Sequence, residues 1–103
     1  ASTGNAPPMA FFTYILASRP GGAIYTGSTD NLRKRVEQHQ AGAVSSHTKT
    51  YGIHTLVWFE IHATREDALG RERSIKRWRR AWKDQLIMET NPNWEDVSDQ
   101  IAL

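Results

Sequence analysis

Two short runs rich in aromatic and β-branched residues leave this chain little choice of local structure near its start. Phe11 to Ala17 is the first and Ala23 to Gly27 the second. Only Ser18-Arg-Pro-Gly-Gly22 separates them, and that composition makes a turn. The two runs therefore read as a β-hairpin. Ser28 to Asp30 follows with helix-capping chemistry, Thr29 or Asp30 being the cap. A helix then runs to about Gln40 and stops near Gly42. Ala43 to Gly52 reads as a polar loop and Thr55 to Ile61 as a third strand.

Thr64, with Asp67 three residues on, starts a second helix that reaches about Arg80. A short helix from Trp82 to Glu89 ends at Asn91-Pro92. This order predicts an α/β fold, a small three-stranded mixed or antiparallel sheet flanked by helices. A chain of 103 residues holds one such domain. The expected limits are residues 9–98. Ala1 to Pro8, before Met9, reads as a disordered or appended tail, and 99–103 as a C-terminal tail.

The chain has no cysteine, which removes disulfides, thiolate zinc sites and cysteine nucleophiles. No apolar run nears the ~20 residues that span a membrane, and no leader pattern is visible. A cytoplasmic location is the expectation. Net charge is only +2, but it is unevenly spread. Arg71 to Lys83 carries seven bases and one acid, and Asp84 to the end carries five acids and no base. A basic segment of this kind is either a polyanion footprint or a solvated helix face.

Helical phase sharpens the candidates. On the first helix Leu32 and Val36 mark the apolar stripe, and Arg35 and His39 fall beside and within it. Arg35 could hold a phosphate bidentately, or simply snorkel past a satisfied core histidine. On the second helix Glu72 shares the narrow arc of Ala68, Ile75 and Trp82. A carboxylate there needs a metal or a cation. Glu72 can ligate Mg²⁺ or Mn²⁺, or pair with Arg79 or Lys76. Trp78 and Trp82 project toward the apolar side and read as core rather than base-stacking platforms. Tyr14 and Tyr25 read as packing residues when each is taken alone. Gly27 makes a tight turn or admits a phosphate to the backbone.

The joint spacing of these residues resembles the GIY-YIG nuclease family. Thr13-Tyr14-Ile15 looks like the first half-motif and Tyr25-Thr26-Gly27 like the second. Arg35 follows Tyr25 by ten residues and His39 follows Arg35 by four. Glu72, in Ala68-Leu-Gly-Arg-Glu72, looks like the family's metal-binding glutamate, and Asn91 like a polar residue that closes the site. The run Lys76-Arg-Trp-Arg-Arg-Ala-Trp-Lys is similar to that of small stand-alone bacterial members. The first half-motif lacks its leading glycine, and Thr26 stands where isoleucine is common.

The resemblance implies a metal-dependent endonuclease acting on nucleic acid, DNA above all, in repair or processing. Glu72 would hold one Mg²⁺ or Mn²⁺ and Arg35 would neutralise the phosphate. Tyr14 would be the general base, or His39, whose ordinary pKa lies nearer neutrality. Tyr25 would orient the water or the phosphate. Gly27, Arg33, Lys34, His47, Lys49, Arg73, Lys76, Arg77 and Arg80 are the expected nucleic-acid contacts. The competing readings are a non-catalytic nucleic-acid-binding module of the same fold, and a protein-interaction domain. Both would lack cleavage, and the second would also lack nucleic-acid binding.

Overall fold

The computed structural model describes residues 10–42 and 46–101. The expected N-terminal tail lies outside these residues, as does the first part of the expected 43–52 loop. Three strands, β1 (Phe11–Ala17), β2 (Ile24–Thr29) and β3 (Thr55–His62), form one sheet in the order β2-β1-β3. Both neighbouring pairs are antiparallel, as a hairpin at 11–29 requires. Among the described residues four helices accompany the sheet: α1 (Leu32–Gln40), α2 (Ser46–Tyr51), α3 (Arg65–Arg77) and α4 (Arg80–Thr90). A 3₁₀ turn at Ser98–Gln100 follows.

Strand alternation divides the core in two. Tyr14 and Leu16 point to one face, where they meet Leu32 and Val36 of α1, Ile53, Leu56 and Ile101. Ile15 and Ala17 point to the other, against Ile75 of α3, Ile87 of α4, Val57 and Trp94. Between Ile15↔Trp58 and Leu16↔Leu56, β3 has one residue more than β1, so Val57 lies in a β-bulge.

Several boundaries differ from expectation. β2 continues past Gly27 because Ser28 and Thr29 still pair with Thr13 and Phe12. The cap of α1 is thus displaced from Thr29 or Asp30 to Asn31, whose side chain accepts from the Lys34 amide at 3.1 Å. Thr64 does cap α3, accepting from the Asp67 amide at 3.1 Å. Part of the expected polar loop is the short helix α2, too brief to show apolar periodicity. α3 ends at Arg77, before two extended residues, Trp78 (ψ 152°) and Arg79 (ψ 157°). That break resets the helical phase, and Trp82, expected in the core, is 53% exposed. The expected C-terminal tail contains Ile101, which packs into the first core cluster while its carbonyl accepts from Arg33 Nη2.

Candidate active site

Cross-strand pairing builds the first half of the site. Tyr14 stands opposite Gly27 and Leu16 opposite Tyr25, so both tyrosines share the face that α1 covers. Tyr14 is fully buried. Its hydroxyl lies 3.4 Å from Nε2 of buried His39. The Tyr25 ring is 6.3 Å from that of Tyr14 and 5.2 Å from that of His39, centroid to centroid. Arg35, one turn before His39 on α1, is close enough for its charge to act on the Tyr14 hydroxyl. A side chain on residue 27 has no room: its Cβ would lie 2.6 Å from the Tyr14 hydroxyl.

The second half sits across the β2 edge. Ser28 points to the face opposite Gly27 and donates to Glu72 Oε1 at 2.6 Å. Lys76, one turn along α3, holds Glu72 Oε2 at 2.5 Å. The same ammonium lies 6.0 Å from the centroid of the Tyr25 ring. The tyrosines and the glutamate therefore meet around an edge strand, where residue 27 carries no side chain to stand between them. Of the two alternatives for Glu72 pairing, the structure has Lys76.

Burial sets the protonation states. Desolvation pushes the Tyr14 hydroxyl up to about 12, helped by the neighbouring Tyr25 and Glu72 and opposed by Arg35. It pushes the His39 imidazole below its ordinary value, and the Arg35 cation adds to this. At about pH 7 the tyrosine is a neutral phenol and the histidine a neutral imidazole. Among the described residues the buried His39 Nδ1 has no hydrogen-bond partner.

Glu72 is a single hard oxygen donor. Among the described residues no group of three His, Asp or Glu side chains could cage an ion. Among the described residues a softer metal such as zinc finds no set of three ligands. Mg²⁺ and Mn²⁺ fit, because such ions accept one carboxylate and complete their shell with waters and phosphate oxygens. Glu72 would hold the ion, and Lys76 would have to yield its place.

Residues 10–85 match the GIY-YIG catalytic domain. The chain belongs to the GIY-YIG family. Its relatives include a UPF0213 protein of Clostridium perfringens, 35% identical over 89% of this chain and 98% of that one. A UPF0213 protein of Staphylococcus aureus is 37% identical over 76% of this chain and 94% of its own length. The solution NMR structure of a UPF0213 protein from Bacillus halodurans superposes with a TM-score of 0.54 at 26% identity, covering 92% of this chain and all of that one. GIY-YIG proteins form a nuclease family, generally metal-dependent, and the domain implies a nucleic-acid substrate. No described helix is long and apolar enough to cross a membrane.

The GIY-YIG positions marked in the sequence are not all brought together. Tyr14, Tyr25, Gly27, Arg35, His39, Glu72 and Lys76 are. Asn91 is not joined to them. Its side chain donates to the Val57 and Glu95 carbonyls and accepts from the Glu95 amide, so it fastens the bulge in β3 to the end of α4. Arg33 is committed to the Ile101 carbonyl and Arg80 to Asp84 and the Gly22 carbonyl. Lys34 is exposed at a cleft of about 150 Å³ that it shares with Arg35 and Gln38. Lys49, Arg73 and Arg77 are exposed. The His47 side chain lies outside the described residues. Ser28 was missed. Its one signal is its place after Gly27 in a strand, which aims it at the opposite face.

Proposed function

We propose that this chain is a divalent-metal-dependent endonuclease that hydrolyses phosphodiester bonds in DNA, in repair or processing. The observation that carries the reading is the convergence of Tyr14, Arg35, His39 and Glu72 around the side-chain-free position of Gly27. A fold-preserving binding module has no need of a buried phenol–imidazole pair beside a carboxylate.

A Mg²⁺ or Mn²⁺ ion on Glu72 supplies Lewis acidity toward the scissile phosphate when bound. The protein's own groups do the rest. Ser28 fixes the Glu72 carboxylate in one orientation. The Arg35 guanidinium neutralises charge that grows on the phosphate oxygens. Tyr14 is too weak an acid to stand as phenolate, so it serves as a relay. Its oxygen accepts a proton from the attacking water as its own proton passes to His39 Nε2. The neutral state of His39 is what that transfer requires. Tyr25 packs on His39 and holds the imidazole toward Tyr14.

The test is incubation of labelled single-stranded, duplex and branched DNA and RNA with Mg²⁺ or Mn²⁺, beside Glu72→Ala and Arg35→Ala proteins. Metal-dependent cleavage by the wild type, lost in Glu72→Ala, is expected. Cleavage that persists unchanged in Glu72→Ala overturns the metal assignment. Binding without cleavage under every ion puts the non-catalytic module in its place.

A further inference from the structure

Hydrolysis makes no use of the tryptophans at the α3–α4 joint. The extended pair Trp78-Arg79 ends one helix and lets the next start in a new phase. Trp82 thereby turns outward and is 53% exposed. Trp78 meets it edge-on, with ring centroids 6.3 Å apart and planes at 76°. The two indoles, with Gln85, Leu86 and Glu89, line a cleft of about 240 Å³. That is smaller than the ~300 Å³ from which drug-sized sites begin, and suits one planar ring system.

The surroundings identify the occupant. The Arg79 guanidinium lies 5.6 Å from the centroid of the Trp82 ring, and that of Arg71 lies 5.4 Å from the centroid of the Trp78 ring. Indoles flanked by guanidiniums match a polyanion that carries flat bases. Gln85 and Glu89 at the rim offer both donor and acceptor to a base edge. Arg71 is already paired with Glu60 at 3.0 Å, so Arg79 is the cation this cleft offers to a phosphate.

The cleft is joined to the hydrolytic site through α3. Six residue steps along α3 to its C-cap lead from Glu72 to Trp78, a rise of ~9 Å. Arg80 bonds the Gly22 carbonyl and so holds the start of α4 against the hairpin that carries Tyr25.

We propose that the Trp78–Trp82 cleft is a nucleobase subsite that stacks one unpaired base of the strand being cut. A base inside a duplex has both faces covered by its neighbours and cannot enter. The subsite would therefore favour substrates with unpaired nucleotides near the cut. This rests on the nuclease reading for the identity of the strand, but binding can be tested without cleavage.

The experiment measures fluorescence anisotropy of labelled oligonucleotides of about twelve nucleotides with the full chain in EDTA. One probe is a single strand and the other a blunt duplex of the same length. Wild type, Trp82→Ala and Trp82→Tyr are compared. Trp82→Ala is expected to weaken single-strand binding about tenfold or more and to leave duplex binding unchanged. Trp82→Tyr should retain most of the affinity, since its ring still stacks. Equal single-strand affinity in wild type and Trp82→Ala overturns the proposal. So does an equal loss on both probes, or a change in sedimentation showing that Trp82 joins two copies of the chain. Failure of the nuclease reading shows separately, as absence of cleavage with Mg²⁺ or Mn²⁺ by a protein whose Trp82-dependent binding is intact.

Discussion

The Tyr14 hydroxyl stands 2.6 Å from the point that a Cβ on Gly27 would occupy, and the Tyr14 Cζ 2.8 Å from it. The two residues are direct partners across β1 and β2, and Tyr14 is fully buried, so its ring has nowhere to retreat. Gly27→Ala must displace the phenol or spread the hairpin. The expected result is a stability loss of about 1–3 kcal/mol by urea denaturation. Single-turnover cleavage should fall on the order of 100-fold, because the displaced hydroxyl is the one that faces His39. Wild-type values for both would mean that the close approach has no functional weight.

Lys76 is ion-paired with Glu72, the carboxylate that would hold an ion. An ammonium on a carboxylate oxygen competes with any metal ion for the same lone pairs. Lys76→Met removes the competitor and keeps the stem that lies near Tyr25. Half-exposed pairs of this kind contribute at most ~1 kcal/mol, so Mn²⁺ affinity by calorimetry should tighten up to about fivefold. Glu72→Gln should abolish the binding heat. Equal or weaker Mn²⁺ affinity in Lys76→Met would show that the lysine is no competitor.

What the sequence made legible follows from range. The hairpin, the α3 cap at Thr64 and the stripe of α1 are local features, and each is present in the structure. The phase argument put Glu72 on the apolar arc, in need of a metal or a cation, and His39 in the stripe of α1; the structure has Lys76 on Glu72 and buries His39. Ser28 was illegible because its bond to Glu72 spans 44 residues and depends on which face a strand residue takes. Trp82 was misplaced because counting 100° per residue assumes one continuous helix. The two extended residues at Trp78-Arg79 carry neither proline nor glycine to announce the break. Asn91 has the polarity of a site residue, and only the bulge at Val57, a property of strand register, shows where its amide is used.

Stability should depend on pH at both ends through Tyr14 and His39. The Tyr14 pKa is raised on folding from 10.0 to about 12. Its contribution is whole below pH 10 and is lost as pH rises toward 12, by up to about 3 kcal/mol. The His39 pKa is lowered from 6.5. Its contribution is whole above pH 6.5 and is lost as pH falls toward the folded value. Urea midpoints across pH should show the alkaline loss disappear in Tyr14→Phe and the acid loss shrink in His39→Gln. Tyrosinate absorbance should show one late-titrating residue in the wild type that Tyr14→Phe lacks. Titration of every tyrosine near 10 would contradict this account.

Asn91 separates a structural from a catalytic role. Its amide donates to the Val57 carbonyl at 3.0 Å and to the Glu95 carbonyl at 2.8 Å, and its oxygen accepts from the Glu95 amide at 3.0 Å. The Val57 carbonyl belongs to the extra residue in the bulge of β3 and sits against the second core cluster. Asn91→Ala leaves that buried acceptor without its Asn91 partner and removes the tie between the end of α4 and Glu95. Losing the three bonds should cost about 2–4 kcal/mol in urea denaturation. Cleavage per folded molecule, measured below the denaturation midpoint with saturating Mn²⁺, should stay within a few-fold of wild type. Metal affinity should not move. A full-strength fold with a hundredfold loss of cleavage would return Asn91 to the site-closing role that its place in the sequence suggested.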